Sequence, residues 1–171
     1  LRGLDVPAGY HLFGAGKAAV AMASGVIDVW GEPRAGLIVT KDEPAALPVA
    51  VIAGSHPVPD AASVAAAEQL IAGLQSVAAD GRVVFVLSGG ASSLLSAPVS
   101  GVSLQQLAAT TATLLADGAD IVAINAARAK LTRASGGKLA AICPAQIDVL
   151  VMSDVLGDPL AVIGSGPFFG A

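Results

Sequence analysis

The sequence predicts an α/β domain built on a mostly parallel sheet flanked by helices. Short apolar runs alternate with segments of helical character, glycine-bearing polar turns follow three of those runs, and 171 residues suit one core-bearing domain. The first run covers residues 10–14 and empties into Gly14-Ala15-Gly16-Lys17-Ala18-Ala19, which opens an alanine-rich helical stretch through Ile27. Runs at 36–40 and 49–53 follow, with loops at 32–34 and 41–48. Residues 60–78 read as a helix: Asp60 after Pro59 is an N-cap, and Val64, Ala67, Leu70, Ile71 and Leu74 form one stripe. The run 83–87 enters Leu87-Ser88-Gly89-Gly90-Ala91-Ser92-Ser93. Ser103-Leu104-Gln105-Gln106 matches a capping box for a helix to about Ala116, stopped near Gly118, and a further helix covers about 120–134. The last run, 147–152, enters Ser153-Asp154-Val155-Leu156-Gly157-Asp158-Pro159 and then Ile163-Gly164-Ser165-Gly166-Pro167.

Composition excludes several classes of function. Apolar residues make up 54% of the chain and charged residues 13%, with a mean hydropathy of +0.75, so solvated positions are few and a partner surface is expected. No uninterrupted apolar stretch is long enough for a membrane span. The net charge is −4 and the basic residues are scattered, apart from the loose group Arg128, Lys130, Arg133 and Lys138, which argues against nucleic acid. The single cysteine, Cys143, precludes an internal disulfide and sits in an apolar context as an inert buried thiol. No secretory signal precedes the first run, so a cytoplasmic location is expected. A homodimer stays open. Both ends read as cut, as in a domain truncated from a larger protein.

The turns carry the chemistry. In open parallel sheets ligands bind beyond the carboxyl ends of the strands, so three polar turns after three strands predict one shared crevice. Gly89 and Gly90 permit close backbone approach, while Ser88, Ser92 and Ser93 add hydroxyls, a composition suited to a phosphate or carboxylate. Lys17 falls near a helix start, where a cation is electrostatically misplaced unless an anion lies nearby. Asp154 and Asp158 place two carboxylates just past a strand end. Asn125 and Arg128, three apart on a predicted helix, share a face and are equally consistent with a site or with a solvated surface. His56, between Ser55 and Pro57, reads first as a turn constraint, and His11 as structural.

With those motifs in this order, the chain resembles the class II glycerate 2-kinases, some of which are labelled hydroxypyruvate reductases. The matching blocks are Gly14 through Ala19 with Met22-Ala23, Ser55 through Asp60, Leu87 through Leu95, Asn125 through Ala140, and Ser153 through Asp158 with Ser165-Gly166-Pro167. The resemblance implies a Rossmann-like fold, residues 1–171 forming the single N-terminal α/β domain of a two-domain enzyme whose C-terminal MOFRL domain is absent here. It implies ATP-dependent phosphorylation of D-glycerate to 2-phosphoglycerate with Mg²⁺ in an interdomain cleft, this chain alone being inactive. Lys17 matches the family's lysine for a phosphate or the substrate carboxylate. Ser88, Gly89, Gly90, Ser92, Ser93, Asn125 and Arg128 would bind the glycerate carboxylate or nucleotide phosphates. Of the two aspartates, one would orient or deprotonate the attacking hydroxyl and the other hold Mg²⁺; Asp154 matches the catalytic position more closely, leaving Asp158 for the metal. The chain departs from the family at two places: Ala91 stands where a third glycine is usual, and Gly164 and Phe168 where alanine and threonine are usual.

Two other functions are compatible with the turns. Gly14-x-Gly16-x-x-Ala19 after a strand partly fits an NAD(P)-binding fingerprint and hence a hydroxypyruvate reductase, but the second strand ends at Thr40-Lys41 with only Asp42 as a ribose-binding carboxylate. A non-catalytic sugar-phosphate-binding module would use the same turns, although the carboxylates of the third turn would repel a phosphate unless a metal or a substrate hydroxyl intervened.

Overall fold

The computed structural model describes residues 9–42, 46–153 and 155–170. Five parallel strands form one sheet in the order β3-β2-β1-β4-β5, with β1 at His11–Ala15, β2 at Ala35–Thr40, β3 at Ala50–Ala53, β4 at Arg82–Ser88 and β5 at Gln146–Met152. Each apolar run of the sequence is therefore a strand. The chain builds outward from β1 to β3 and then returns to the other side of β1, so the order reverses between β1 and β4. Register fixes where the turns emerge: Ala15 pairs with Leu87 and Leu87 with Val151, so β1, β4 and β5 end level at one edge.

The period of two along the strands divides the core in two. Phe13, Val83, Phe85 and Leu87 face one side, where helix α2 (Ala61–Ser76) contributes Ala66, Ala67, Leu70, Ile71 and Leu74. Leu12, Ile38, Val84 and Val86 face the other, against Ala19, Ala23 and Val26 of helix α1 (Ala19–Trp30). Each fully buried Leu or Phe contributes about 1.5–3 kcal/mol, and the strands need that stripe on both faces because helices cover both. Helix α3 (Ala91–Leu94) follows β4, α4 (Leu104–Ala116) and α5 (Ile121–Leu131) form a pair, and α6 (Lys138–Ile142) leads into β5.

The expected caps are present. Asp60 accepts from the Ala62 and Ser63 amides, and Ser103 with Gln106 closes a reciprocal capping box. Within α2 the predicted stripe is buried at Ala67, Leu70, Ile71 and Leu74, whereas Val64 is half-buried and Ser63 takes the buried place at the helix start. The Ser63 hydroxyl accepts from the Ser55 amide at 2.9 Å and donates to the Ser55 carbonyl at 3.3 Å, which stitches the β3–α2 loop to the helix. Helix α5 ends at Leu131, earlier than the sequence pattern suggests. Thr132 is extended and bridges to Pro98, while Lys138 Nζ donates to the Ala129 and Thr132 carbonyls at the helix end. Lys138 thus caps a helix, and Arg133 pairs with Glu68 at the surface. No helix among the described residues is long and apolar enough to cross a membrane. Cys143 is buried, and burial pushes its thiol pKa up, in keeping with an inert side chain.

Candidate active site

The strand order reverses between β1 and β4, the place where open parallel sheets bind ligands, and there the first two turns meet. The Lys17 amide donates to the Gly89 carbonyl at 2.9 Å. The buried Ser88 hydroxyl accepts from the Ala18 amide at 3.0 Å and so serves the start of α1, which has no capping side chain of its own. Gly90 is the left-handed residue that starts α3, at φ 90°. A Cβ there would stand 3.0 Å from His56 Cδ2 and 3.1 Å from Lys17 Cγ, so the glycine lets three segments close together. Lys17 itself is exposed. Burial, then the charges of Lys17 and Lys41, hold the His56 pKa below its ordinary value, so His56 is neutral at physiological pH.

On the other side of α3 the hydroxyls reach into a chain of buried groups. Ser92 Oγ lies 2.8 Å from Ser165 Oγ, which donates to Asn125 Oδ1 at 2.9 Å, while Asn125 Nδ2 donates to the Val162 carbonyl at 3.4 Å. Ser165 and Asn125 are both buried, and Ser165 sits in the left-handed region at φ 62° within the helical turn Ile163–Ser165. Ser93 Oγ donates to the Pro57 carbonyl at 2.8 Å and ties α3 to the loop that carries His56. A cleft of about 370 Å³ adjoins these groups. Pro57, Val58 and Ser92 line it, facing Leu107 and Leu115 of α4 and Arg128 of α5. Arg128 is half-buried and has no ion-pair partner among the described residues, and burial lowers its pKa.

The structure thus draws together Lys17, Ser88, Gly89 and Gly90 at the reversal, and Ser92, Ser93, Asn125 and Arg128 beside it. The Asp158 side chain makes no hydrogen bond or ion pair among the described residues. The residue is exposed, at φ 49° in a turn closed by its amide on the Val155 carbonyl at 3.1 Å. Asp154 lies outside the described residues. Among the described residues no three His, Cys, Asp or Glu side chains gather as a metal-holding cluster. Ser165 and the aliphatic wall of α4 are site elements the sequence reading did not select. Ser165 carried a signal, its place between two glycines and a proline, but its partners are 40 and 73 residues away.

Residues 4–170 match the model of the family described as Domain of unknown function (DUF4147). The chain belongs to this family. The D-glycerate 2-kinase of Thermotoga maritima is 39% identical over 91% of the chain and 39% of its own length. A protein of Agrobacterium vitis provisionally named hydroxypyruvate reductase is 41% identical over 91% of the chain and 42% of its own length. The glycerate kinase structure from Thermotoga maritima superposes with a TM-score of 0.90 and 37% identity, covering 99% of the chain and 41% of that structure. The DUF4147 chain therefore spans about two fifths of the length of these relatives.

Proposed function

We propose that this DUF4147 chain forms one side of an ATP-dependent D-glycerate 2-kinase site, yielding 2-phosphoglycerate, and is inactive without a second domain. The observation that carries the reading is the meeting of Lys17, His56 and Gly90 at the strand-order reversal, where open α/β sheets bind ligands. Phosphoryl transfer asks for positioning and charge neutralisation rather than covalent chemistry. Lys17, exposed at the crevice with its backbone pinned to Gly89, would neutralise the moving phosphoryl group or the substrate carboxylate. Neutral His56 beside it can donate or accept one hydrogen bond without adding a charge. Asp154 is assigned to the attacking hydroxyl and Asp158 to Mg²⁺, both from the family resemblance. A single exposed carboxylate suits Mg²⁺, which keeps several waters and takes oxygens from substrate phosphates, and which would supply charge neutralisation to the transferring group.

The reductase reading has weaker support. Asp42, the carboxylate offered to a ribose, is ion-paired with Lys41. Gly14 lies inside β1, where a Cβ would stand 2.8 Å from the Val86 carbonyl oxygen, so this glycine serves sheet packing. A coupled ATP-turnover assay with D-glycerate and Mg²⁺ tests the proposal, first on this chain and then with the C-terminal portion of the Thermotoga relative added in trans. Turnover only after addition is expected. Reduction of hydroxypyruvate with NAD(P)H, and no phosphoryl transfer in either assay, would overturn it.

A further inference from the structure

Strand β5 ends the sheet without the devices that protect a free edge. It pairs with β4 alone, so its outward-facing amides and carbonyls have no ladder partner among the described residues. Natural edge strands are kept short, or carry lysine, proline, a bulge or an unpaired charge. At the opposite edge β3 holds four residues, whereas β5 holds seven and keeps its register to β4 from Gln146 through Met152 without a bulge. Its one charge, Asp148, is neutralised by Arg82 of β4 at 2.5 Å. Apolar side chains stand on both faces of the run Ile147-Asp148-Val149-Leu150-Val151-Met152, the pattern of a strand inside a parallel sheet. Yet Ile147 to Val151 are only half-buried, and Met152 is 52% exposed.

This edge is complementary to itself. A two-fold axis normal to the sheet sets two copies of β5 antiparallel with matching faces, so residues directly opposite share a face. Centring the axis on Val149 pairs the whole strand: Gln146 with Met152, Ile147 with Val151 and Asp148 with Leu150. No carboxylate then faces a carboxylate. Centring on Asp148 would oppose the two aspartates, and centring on Leu150 would leave Gln146 and Ile147 beyond the end of the partner strand. We infer that β5 is a dimerisation edge whose occupant is a second copy of this chain, paired antiparallel about Val149 so that two five-stranded sheets join. Ile147, Val149 and Val151, which pack on the α2 side of each core, form one continuous apolar stripe across the axis. A second copy supplies the matching edge by construction, and one closed contact uses up both long edges. The inference is independent of the kinase reading.

Sedimentation velocity of the full chain over a concentration series tests it. A dimer is expected, and a monomer throughout overturns the inference. V149K and V149E each set like charges face to face across the axis and should weaken the dimer by about 100-fold. An equimolar mixture of the two variants should restore a heterodimer, which misfolding of either could not produce. The double variant Q146C/M152C checks the register at two exposed positions, away from the core. They lie about 20 Å apart on one strand but opposite each other across the axis, within reach of a disulfide. Mild oxidation should therefore give a covalent dimer with the double variant and with neither single one. A dimer that V149K leaves intact, or single variants that cross-link as well as the pair, would overturn the inference. So would dissociation of the dimer by the C-terminal portion of the Thermotoga relative, which would give this edge to the second domain.

Discussion

At the scale of single residues, two departures from the family pattern turn out to face each other. A Cβ on Gly164 would stand 3.0 Å from the Ala91 methyl, and position 91 is an ordinary helical residue, the left-handed one being Gly90. The methyl that the family resemblance leads one to expect at 164 is here carried at 91. G164A should therefore cost about 1–3 kcal/mol from overpacking, on top of a left-handed backbone penalty of about 1–2 kcal/mol. A91G alone should also destabilise, by about 1 kcal/mol, through a helical glycine. Because the two methyls compete for one space, the A91G/G164A double variant should melt higher than G164A in a denaturation series. Additive losses would refute the compensation. A second residue-scale prediction concerns His56. Its folded pKa lies below the ordinary 6.5, through burial and then Lys17 and Lys41. The unfolded chain thus takes up the proton first as pH falls. The stabilisation from neutral His56 is complete above about pH 6.5 and is lost as pH drops through 6.5 toward the folded value. An NMR titration of the His56 ring should show a pKa below 6.5 that rises in K17A, since one of the depressing charges is gone. An unchanged value in K17A would place Lys17 too far away to act on it.

At the scale of elements, strands and long helices were legible because each repeats a simple period. The apolar runs predict all five strands to within about a residue, and the Asp60 and Ser103 caps mark the starts of α2 and α4. Helices α3 and α6 were not legible: they hold 4 and 5 residues and begin at left-handed Gly90 and Gly137, too short for any period to show. The length of α5 was overread because its end is set from a distance, by the Thr132–Pro98 bridge and the Lys138 cap. Helix α4 illustrates a further limit. Its capping box is plain in the sequence, yet only Leu107 is buried and Leu115 remains 60% exposed, since α4 leans on α5 and the cleft rather than on the sheet. Its local stability should be low. Native-state hydrogen exchange should find α4 amides opening well before those of β4, with protection rising when a ligand fills the cleft. Equal protection in the two elements would show that α4 is held by contacts beyond those described.

At the scale of the whole molecule, the candidate site joins turns that the sequence could name but could not bring together. The level ends of β1, β4 and β5 follow from the register, and the reversal between β1 and β4 from the sheet order, neither of which is written in any one segment. Only the folded chain sets Lys17 and His56 together beside Gly90, or runs Ser92 through Ser165 to Asn125. The same organisation makes Lys17 separable from the fold. Its side chain is exposed and takes part in no hydrogen bond or ion pair among the described residues, and the contact that holds its turn is made by its backbone amide. K17A should therefore leave the thermal midpoint of this chain within about a degree, as expected for a surface substitution away from packing. In the complex complemented with the C-terminal portion of the Thermotoga relative, the same variant should lower kcat for glycerate phosphorylation by about 10²–10³-fold, the usual cost of removing one preorganised charge-stabilising donor. Steady-state kinetics and a melting curve on the same preparation decide the matter. A large fall in kcat with an unmoved melting point places Lys17 at the transferring group, whereas an unchanged kcat removes it from the reaction and leaves the crevice without its cation.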